Sequence, residues 1–528
     1  MMMMLNLELC SSLFLYFLPA LFLIVLVQFK SSFKALLFSS SSSDKKNPTI
    51  PRSYPFIGSI FSIYANKERG VQWTSELVLA SPSHTFILHR PICRQIVFTA
   101  NPANVRHILK THFHNYEKGD FFRIGVADFL GDGIFNTDDD KWKFQRQVAS
   151  HEFNTKSLRK FIEQVVDSEL SDRLIPILSA AAANNTVLDF QDILQRFTFD
   201  NVCKIAFGYD PAYLSPSLPN EKFAQAFEDA ARITSRRFQS FHPLIWKIKR
   251  YLNVGSEKDL RIAVNQVRDF AKHMIKEKNK ELKENASSLL NSVDLLSRFL
   301  SSGHSDENFV TDIVISFILA GRDTTSAALE WFFWLVSKHQ HVENQILREI
   351  THKSESNMYE EVKEMVYTHA ALNESMRLYP PVPIDSKQAV DDDILPDGTV
   401  VKRGTRVGYH TFAMGRSEEI WGNDWSEFRP ERWLKEDRVT GGRQFVAKDV
   451  YEYPVFQAGP RICLGKEMAV LQMKSIASGV LRRFKVIPVT ENNQDPVLIT
   501  YFTSKMKGGF LVRIEKRKEE GCSVIKDI

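Results

Sequence analysis

Near the C-terminus, Phe456-Gln-Ala-Gly459-Pro-Arg461-Ile-Cys463-Leu-Gly465 sets a cysteine between two glycines and two residues after an arginine. Glycines let a backbone fold closely over a flat group, and an arginine so placed reaches a carboxylate such as a haem propionate. Backbone N–H groups left free by such a turn can point at the sulfur and tune it. A cysteine thiolate on haem iron pushes electron density to the metal and favours O–O cleavage. Alone, a cysteine in a glycine turn is more simply a packing residue, so the loop gains its meaning from its company. A second stretch with chemistry in it is Ala320-Gly321-Arg322-Asp323-Thr324-Thr325. The Asp323 carboxylate and Thr324 hydroxyl are the right groups to deliver the protons that O–O cleavage consumes, and Gly321 permits close approach over a flat cofactor. Alone, this cluster reads as a helix kink with threonines bonded back to carbonyls.

These side chains need elements to position them. From Asp306 to about Lys338, Val310, Ile313, Val314, Phe317, Ile318, Ala328, Leu329 and Phe332 recur at helical spacing. They predict one helix roughly 50 Å long with the polar cluster at its middle. A glycine-rich loop, Gly131-Asp-Gly133-Ile-Phe-Asn136, leads into Asp138-Asp-Asp140 and a helix on which Trp142 and Arg146 share a face. An indole N–H beside a guanidinium suits a carboxylate, although an isolated pair of this kind is ordinarily structural. Val362 to Leu378 reads as a helix stopped at Tyr379-Pro380-Pro381, with Glu374 and Arg377 on one face, and Phe428-Arg-Pro430-Glu431-Arg432-Trp433 follows.

Short strands are expected on either side of a turn at Arg90-Pro91, with a helix from about Pro102. Turns at Pro396-Asp397-Gly398 and Lys402-Arg403-Gly404 accompany a small sheet, and Lys387 just before it reads as a solvated lysine, with reach to a propionate as the alternative. A helix starts at the cysteine loop and runs from Gly465 to about Arg483, so that its N-terminal dipole favours a thiolate. The tail from Val486 to Ile514 reads as strands, where Phe502 is a candidate to line a cavity. Ser157 to about Leu300 is mostly helical, with runs such as Lys276-Glu-Lys-Asn-Lys-Glu on solvated faces.

The chain has 528 residues, enough to bury both a cofactor and a substrate cavity, and its 39 phenylalanines suit an apolar one. A net charge of +5 is too small in so long a chain to imply a nucleic-acid partner. Five scattered cysteines, without a CxxC, argue against a disulfide framework and for a reducing compartment. The apolar run Leu9–Phe29 is long enough to cross a bilayer, and Lys30, Lys34, Lys45, Lys46 and Arg52 follow it. The expected organisation is an anchor over 1–30, a polar linker and proline-rich hinge over 31–58, a catalytic domain over 59–514 facing the cytosol, and a polar tail over 515–528. With that topology the sequons at Asn184, Asn285 and Asn373 carry no glycan.

Taken together, in order, these motifs resemble those of the cytochrome P450 superfamily, and the resemblance runs from the anchor to about Ile514. It implies a mainly α fold, a triangular helical prism with a small β-rich lobe, behind an N-terminal membrane anchor. It implies haem b (iron protoporphyrin IX) held by Cys463, with Phe456, Gly459, Arg461, Gly465, Trp142 and Arg146 around the cofactor. Thr324 takes the oxygen-activating hydroxyl's place, with Asp323 beside it, and Glu374, Arg377 and Arg432 form a salt-bridged brace. The loop Gly131–Asn136, the run from Trp142 to Phe153 and the phrase Phe456–Arg461 are most similar to plant fatty-acid ω-hydroxylases.

The implied reaction is hydroxylation of a terminal methyl of a medium- or long-chain fatty acid, with O₂ and electrons from NADPH–cytochrome P450 reductase, at the endoplasmic reticulum membrane and among its lipids. Lys141, Lys143 and Lys466 are candidates for a basic face that docks the reductase. Alternatives are ω-oxidation of a jasmonoyl-amino-acid conjugate, a haem-thiolate isomerase or dehydratase, against which the Asp323-Thr324 pair argues, and a non-catalytic haem sensor.

Overall fold

In the computed structural model the long helix runs Glu307–Lys338, and the Asp306 carboxylate caps its start by accepting the Asn308 N–H. Described residues are 50–518 except 92–93, 154, 219–221, 241, 285–293, 303–305, 352–357, 437–441 and 490–494. The expected anchor, most of the linker and tail, Cys10, Cys93, Cys522 and the Asn285 sequon lie outside them. Among the described residues no helix is long and apolar enough to cross a membrane. From Pro51 onward the chain forms one compact unit.

The long helix sits at the centre, with almost its whole circumference buried between Val310 and Val336. Helix Phe190–Phe207 lies along it, and Thr198 Oγ1 donates to the Arg322 carbonyl at 2.9 Å. A Cβ on Gly321 would come within 2.6 Å of the Val202 side chain. The glycine thus lets two helices close on each other, where the sequence suggested approach to a flat cofactor. Helices Ser256–Glu284 and Val366–Leu378 also pack on the long helix, and near its end Trp331 stacks on Tyr379 at 3.9 Å. Lys278, in a charged run expected to be solvated, is buried and paired with Asp294 at 2.6 Å.

The predicted helix Val362–Leu378 is interrupted and forms Met358–Lys363 and Val366–Leu378. Glu349 explains the break, because its carboxylate accepts the N–H groups of Tyr367 and Thr368 at 2.7 and 2.8 Å and caps a new N-terminus. Asn373 is buried within the second piece, which closes that sequon to a glycan in the folded state.

Strands Thr85–Arg90 and Arg94–Thr99 form the expected hairpin, with Arg90 opposite Arg94. Arg406–Tyr409 joins it in parallel, Asp385–Ala389 follows antiparallel, and Tyr116–Glu117 closes the sheet. In the tail Phe484–Pro488 pairs with Leu511–Lys516, which also pairs with Val187–Asp189, and Leu498–Thr500 pairs with Ser504–Met506.

Two histidines in this frame are held neutral. The His410 Nδ1 accepts the Ala413 N–H at 3.1 Å, so its proton sits on Nε2, 3.0 Å from Thr74 Oγ1. His369 stacks on Phe445 at 4.0 Å. Burial depresses both imidazoles to about 3, helped at His369 by Lys474 and Lys466. The unfolded chain takes up these protons below about pH 6.5 and the folded chain does not, so stability falls as the pH drops from there towards 3. Between about pH 7 and about pH 5.5 the pair should cost roughly 2–3 kcal/mol, and thermal melts at the two pH values should show a lower midpoint at the acid one.

Candidate functional site

The cysteine loop is built as two short 3-10 turns, Pro454–Phe456 and Gly459–Arg461, closed when the Cys463 N–H donates to the Phe456 carbonyl at 2.8 Å. Gly459 has φ +65°, and a Cβ there would lie 2.0 Å from the Leu109 carbonyl oxygen, so no other residue fits. Gly465 is different: a Cβ would meet only Phe153, at an ordinary 3.5 Å, so protein packing does not demand this glycine. Helix Lys466–Arg483 begins directly after it. Cys463 is accessible although protein surrounds the loop, whereas Cys203 is buried. Burial raises the Cys463 thiol pKa, and the Gly465 N–H, Arg146 and Lys466 oppose that by favouring the thiolate.

Helix Asp139–Ser150 brings Trp142 and Arg146 to this loop. The Arg461 guanidinium lies 4.4 Å from the Trp142 ring centroid and Arg146 5.8 Å from it. Asp138, just before the helix, accepts Arg461 Nη2 at 2.5 Å, and the Thr137 carbonyl accepts it at 2.9 Å. The Nε of Arg461 is buried without a partner among the described residues. The first acid of Asp138-Asp-Asp140 is therefore a clamp between helix and loop. Gln457, at φ +62°, extends the clamp to the sheet: its Nε2 donates to Asp385 at 2.6 Å, and the Tyr409 hydroxyl donates to the same carboxylate at 2.8 Å.

Lys387 is not solvated. Strand alternation turns residues 385, 387 and 389 the same way, and Lys387 is 2% exposed. Burial and then neighbouring Lys118 push its ammonium pKa well down, against Asp385, which raises it. Lys118 itself bonds to Asp385 at 3.3 Å.

On the long helix every residue from Val310 to Val336 is buried except Phe317, Ala320, Gly321 and Thr324. Their spacing of i, i+3, i+4 and i+7 makes them one stripe on one face. Thr324 Oγ1 stands on that stripe and donates to the Ala320 carbonyl at 2.6 Å. Asp323 is one residue away but points elsewhere: it is buried against Arg322 at 2.9 Å, and burial raises its carboxyl pKa in spite of that partner. The two residues that the sequence pairs are thus adjacent in the chain and separated in direction. Phe502 stacks on Phe129 at 6.3 Å, and Phe129 meets Phe227 at 5.2 Å, beneath the Arg322 guanidinium at 5.2 Å from the Phe227 ring.

Glu374, Arg377 and Arg432 do come together. Glu374 is wholly buried and accepts Arg377 Nε and Nη2, Arg432 Nε and the Trp433 indole N–H, each at 2.8 Å. The glycine-rich loop docks on the long helix, since Cβ atoms on Gly131 and Gly133 would each lie 2.0 Å from Asp312 and Ser316 side chains. Arg268 fixes that Asp312 at 2.7 Å.

The family model for Cytochrome P450 matches residues 48–512. The chain belongs to the cytochrome P450 family. Cytochrome P450 94A2 of Vicia sativa is 63% identical over 476 residues, covering 90% of this chain and 93% of the relative. Cytochrome P450 94A1 of the same species is 61% identical, covering 89% and 91%. Cytochrome P450 94B1 of Arabidopsis thaliana is 46% identical, covering 94% and 98%.

This cytochrome P450 is therefore a mainly helical, haem-thiolate monooxygenase with small β-sheets, and its family draws on O₂ and a reductase. The residues present fit a haem: the accessible Cys463 thiol, the Gly465 N–H that favours its anion, and the unpartnered buried Nε of Arg461 beside Trp142 and Arg146. Sequence reasoning missed Asp138, Gln457 and Asp385 as loop-holding residues, because their partners lie 72 to 323 positions away. Of the lysines considered for docking, Lys141 and Lys143 pair with Asp132 and Asp140 at 2.7 and 3.3 Å, and Lys466 stands over the Phe456 ring.

Proposed function

We propose that this cytochrome P450 hydroxylates the terminal methyl of medium- or long-chain fatty acids, with Cys463 as the axial thiolate. The observation that carries the reading is the stripe Phe317, Ala320, Gly321 and Thr324, a part-exposed face with one hydroxyl within an otherwise buried stretch of helix. When bound, haem supplies activation of O₂ and insertion of one oxygen atom into a C–H bond. The protein's part is to admit the chain end, exclude water and hold a proton donor at Thr324 Oγ1. A terminal C–H is stronger than those beside it, so selectivity falls to positioning. Phe502, part-buried and stacked on the wholly buried Phe129, offers an apolar ring, which suits an alkyl chain. Arg461, Trp142 and Arg146 meet the propionates in this reading, while Glu374, Arg377 and Arg432 hold the loop's surroundings.

Electrons come from NADPH–cytochrome P450 reductase, and the apolar run Leu9–Phe29 anchors the enzyme at the endoplasmic reticulum with its catalytic part in the cytosol. Microsomes containing the protein and reductase, given a fatty-acid panel and jasmonoyl-isoleucine, should yield ω-hydroxy fatty acids by mass spectrometry. Product from jasmonoyl-isoleucine alone would replace the fatty-acid reading. The reduced-CO spectrum should peak at about 450 nm and lose that band in Cys463→Ser.

A further inference from the structure

A cavity of about 650 Å³ opens beside the hairpin Thr85–Thr99, between the sheet, helix Gly119–Leu130 and the segment after helix Lys222–Gln239. Its lining is unbalanced in charge. Arg90, Arg94, Arg237, Lys247, Lys402, Arg403 and Arg406 face Asp120 as the single carboxylate. Arg237 is neutralised by Glu257 and Asp128, and Lys402 by Asp392. Arg406 is not. Among the described residues no carboxylate lies within ion-pair distance of it, and its Nη2 donates to Ser386 Oγ at 3.2 Å. Its guanidinium rests on the Phe121 ring at 4.3 Å and lies 6.0 Å from the Phe238 ring. A guanidinium has five N–H donors, so most of its capacity for a planar anion is left over.

Arg90 adds a second positive charge. Its Nη1 and Nη2 donate to the carbonyls of Phe238 and Ser240, which fixes it in the wall. Burial and the Arg90 charge depress the Arg406 pKa to about 9, against the more distant Asp385 carboxylate, which raises it. Two crowded guanidinium groups raise the energy of the site, and an anion entering it relieves that repulsion. The remaining lining includes Ile96, Phe121, Ile124, Phe238 and Trp246, so the site suits an anion that carries an apolar body. Helix Gly119–Leu130 leads from it: Phe121 and Ile124 face the cavity, and Phe129 is the residue stacked on Phe502. The step from Phe121 to Phe129 is about 12 Å along the helix axis.

Building on the fatty-acid reading, we propose that Arg406, with Arg90 behind it, binds the substrate carboxylate, and that the alkyl chain follows helix Gly119–Leu130 towards Phe502. The anchor sets one end of the chain and thereby which carbon reaches the part-exposed stripe of the long helix. Spectral titration of the full-length holoenzyme with dodecanoate and with methyl dodecanoate tests this. Wild type should bind the acid more tightly than the ester by about tenfold or more, the worth of a charged hydrogen bond. Arg406→Gln should lose about that factor for the acid and leave the ester within about twofold, and Arg406→Lys should recover part of the preference.

Equal affinity of wild type for acid and ester would overturn the anchor, as would an Arg406→Gln protein with full haem content and unchanged acid binding. The wild-type ratio decides the matter even if Arg406→Gln fails to fold. If wild type binds and oxidises neither compound, the fatty-acid reading falls and takes the anchor with it. Binding of both without preference removes the anchor and leaves the reading standing.

Discussion

Arg377→Ala should yield protein that largely fails to incorporate haem. Arg377 spends all five N–H donors inside the fold: two go to Glu374, and the others go to the carbonyls of Gly415, Trp425 and Glu427. No water reaches the pair, since Glu374 is 0% and Arg377 1% exposed. Truncation leaves three carbonyls short of a donor and deprives a buried carboxylate of its bidentate partner. Breaking a buried pair from one side costs about 3–5 kcal/mol, a large part of the roughly 5–15 kcal/mol that a domain has. Arg432 and Trp433 would remain on Glu374, and Arg432 also holds the Asp424 carbonyl at 2.9 Å, so the damage spreads to the segment that leads into the cysteine loop. The check is absorbance of the reduced-CO complex per amount of purified protein, together with a thermal melt. Normal haem content and an unshifted midpoint would remove the brace from the account.

Thr324→Ala should leave the fold intact and separate electron consumption from product. The hydroxyl's bond is a back-bond to the Ala320 carbonyl in its own helix, and Thr324 is part-buried on the stripe, so its loss costs little stability. Its loss removes the hydroxyl that stands on that face. A positioned proton donor is worth about 10²–10⁴-fold in rate, so product per NADPH should fall by roughly tenfold or more while NADPH oxidation continues. The comparison with Asp323→Asn separates two roles. Asp323 points at Arg322, away from the stripe, and must leave that partner to take part in proton delivery. If Thr324→Ala couples electrons to product as well as wild type does, the hydroxyl is structural.

The two expectations draw on different kinds of legibility. Glu374 and Arg377 were readable as a pair because three residues of helix is a fixed geometry, and Arg432 entered through family resemblance. The stripe on the long helix was readable in part: apolar periodicity marks the helix, and the residues between Ala320 and Thr325 mark where it changes character. Which of them stay part-exposed was not readable. Gly321 looked like a concession to a cofactor, and the tight contact at its Cα is with Val202, more than a hundred residues earlier. Lys387 looked like an ordinary surface lysine, and the sheet turned it inward beside Asp385.

By itself the sequence determined the local arrangements: the length of the central helix, the hairpin, the cysteine turn with a helix directly after it, and the order of the motifs. Periodicity, turn chemistry and short spacings act within a few residues, where backbone geometry leaves little choice. Tertiary structure decided what those local pieces meet. Asp138 on Arg461, Gln457 on Asp385 and Arg406 between Phe121 and Phe238 are encounters between segments far apart in the chain. The charge state of a lysine, the direction of an aspartate and the stacking of Arg406 in a cationic cavity all depend on burial and neighbours, and these exist only after the chain has closed on itself.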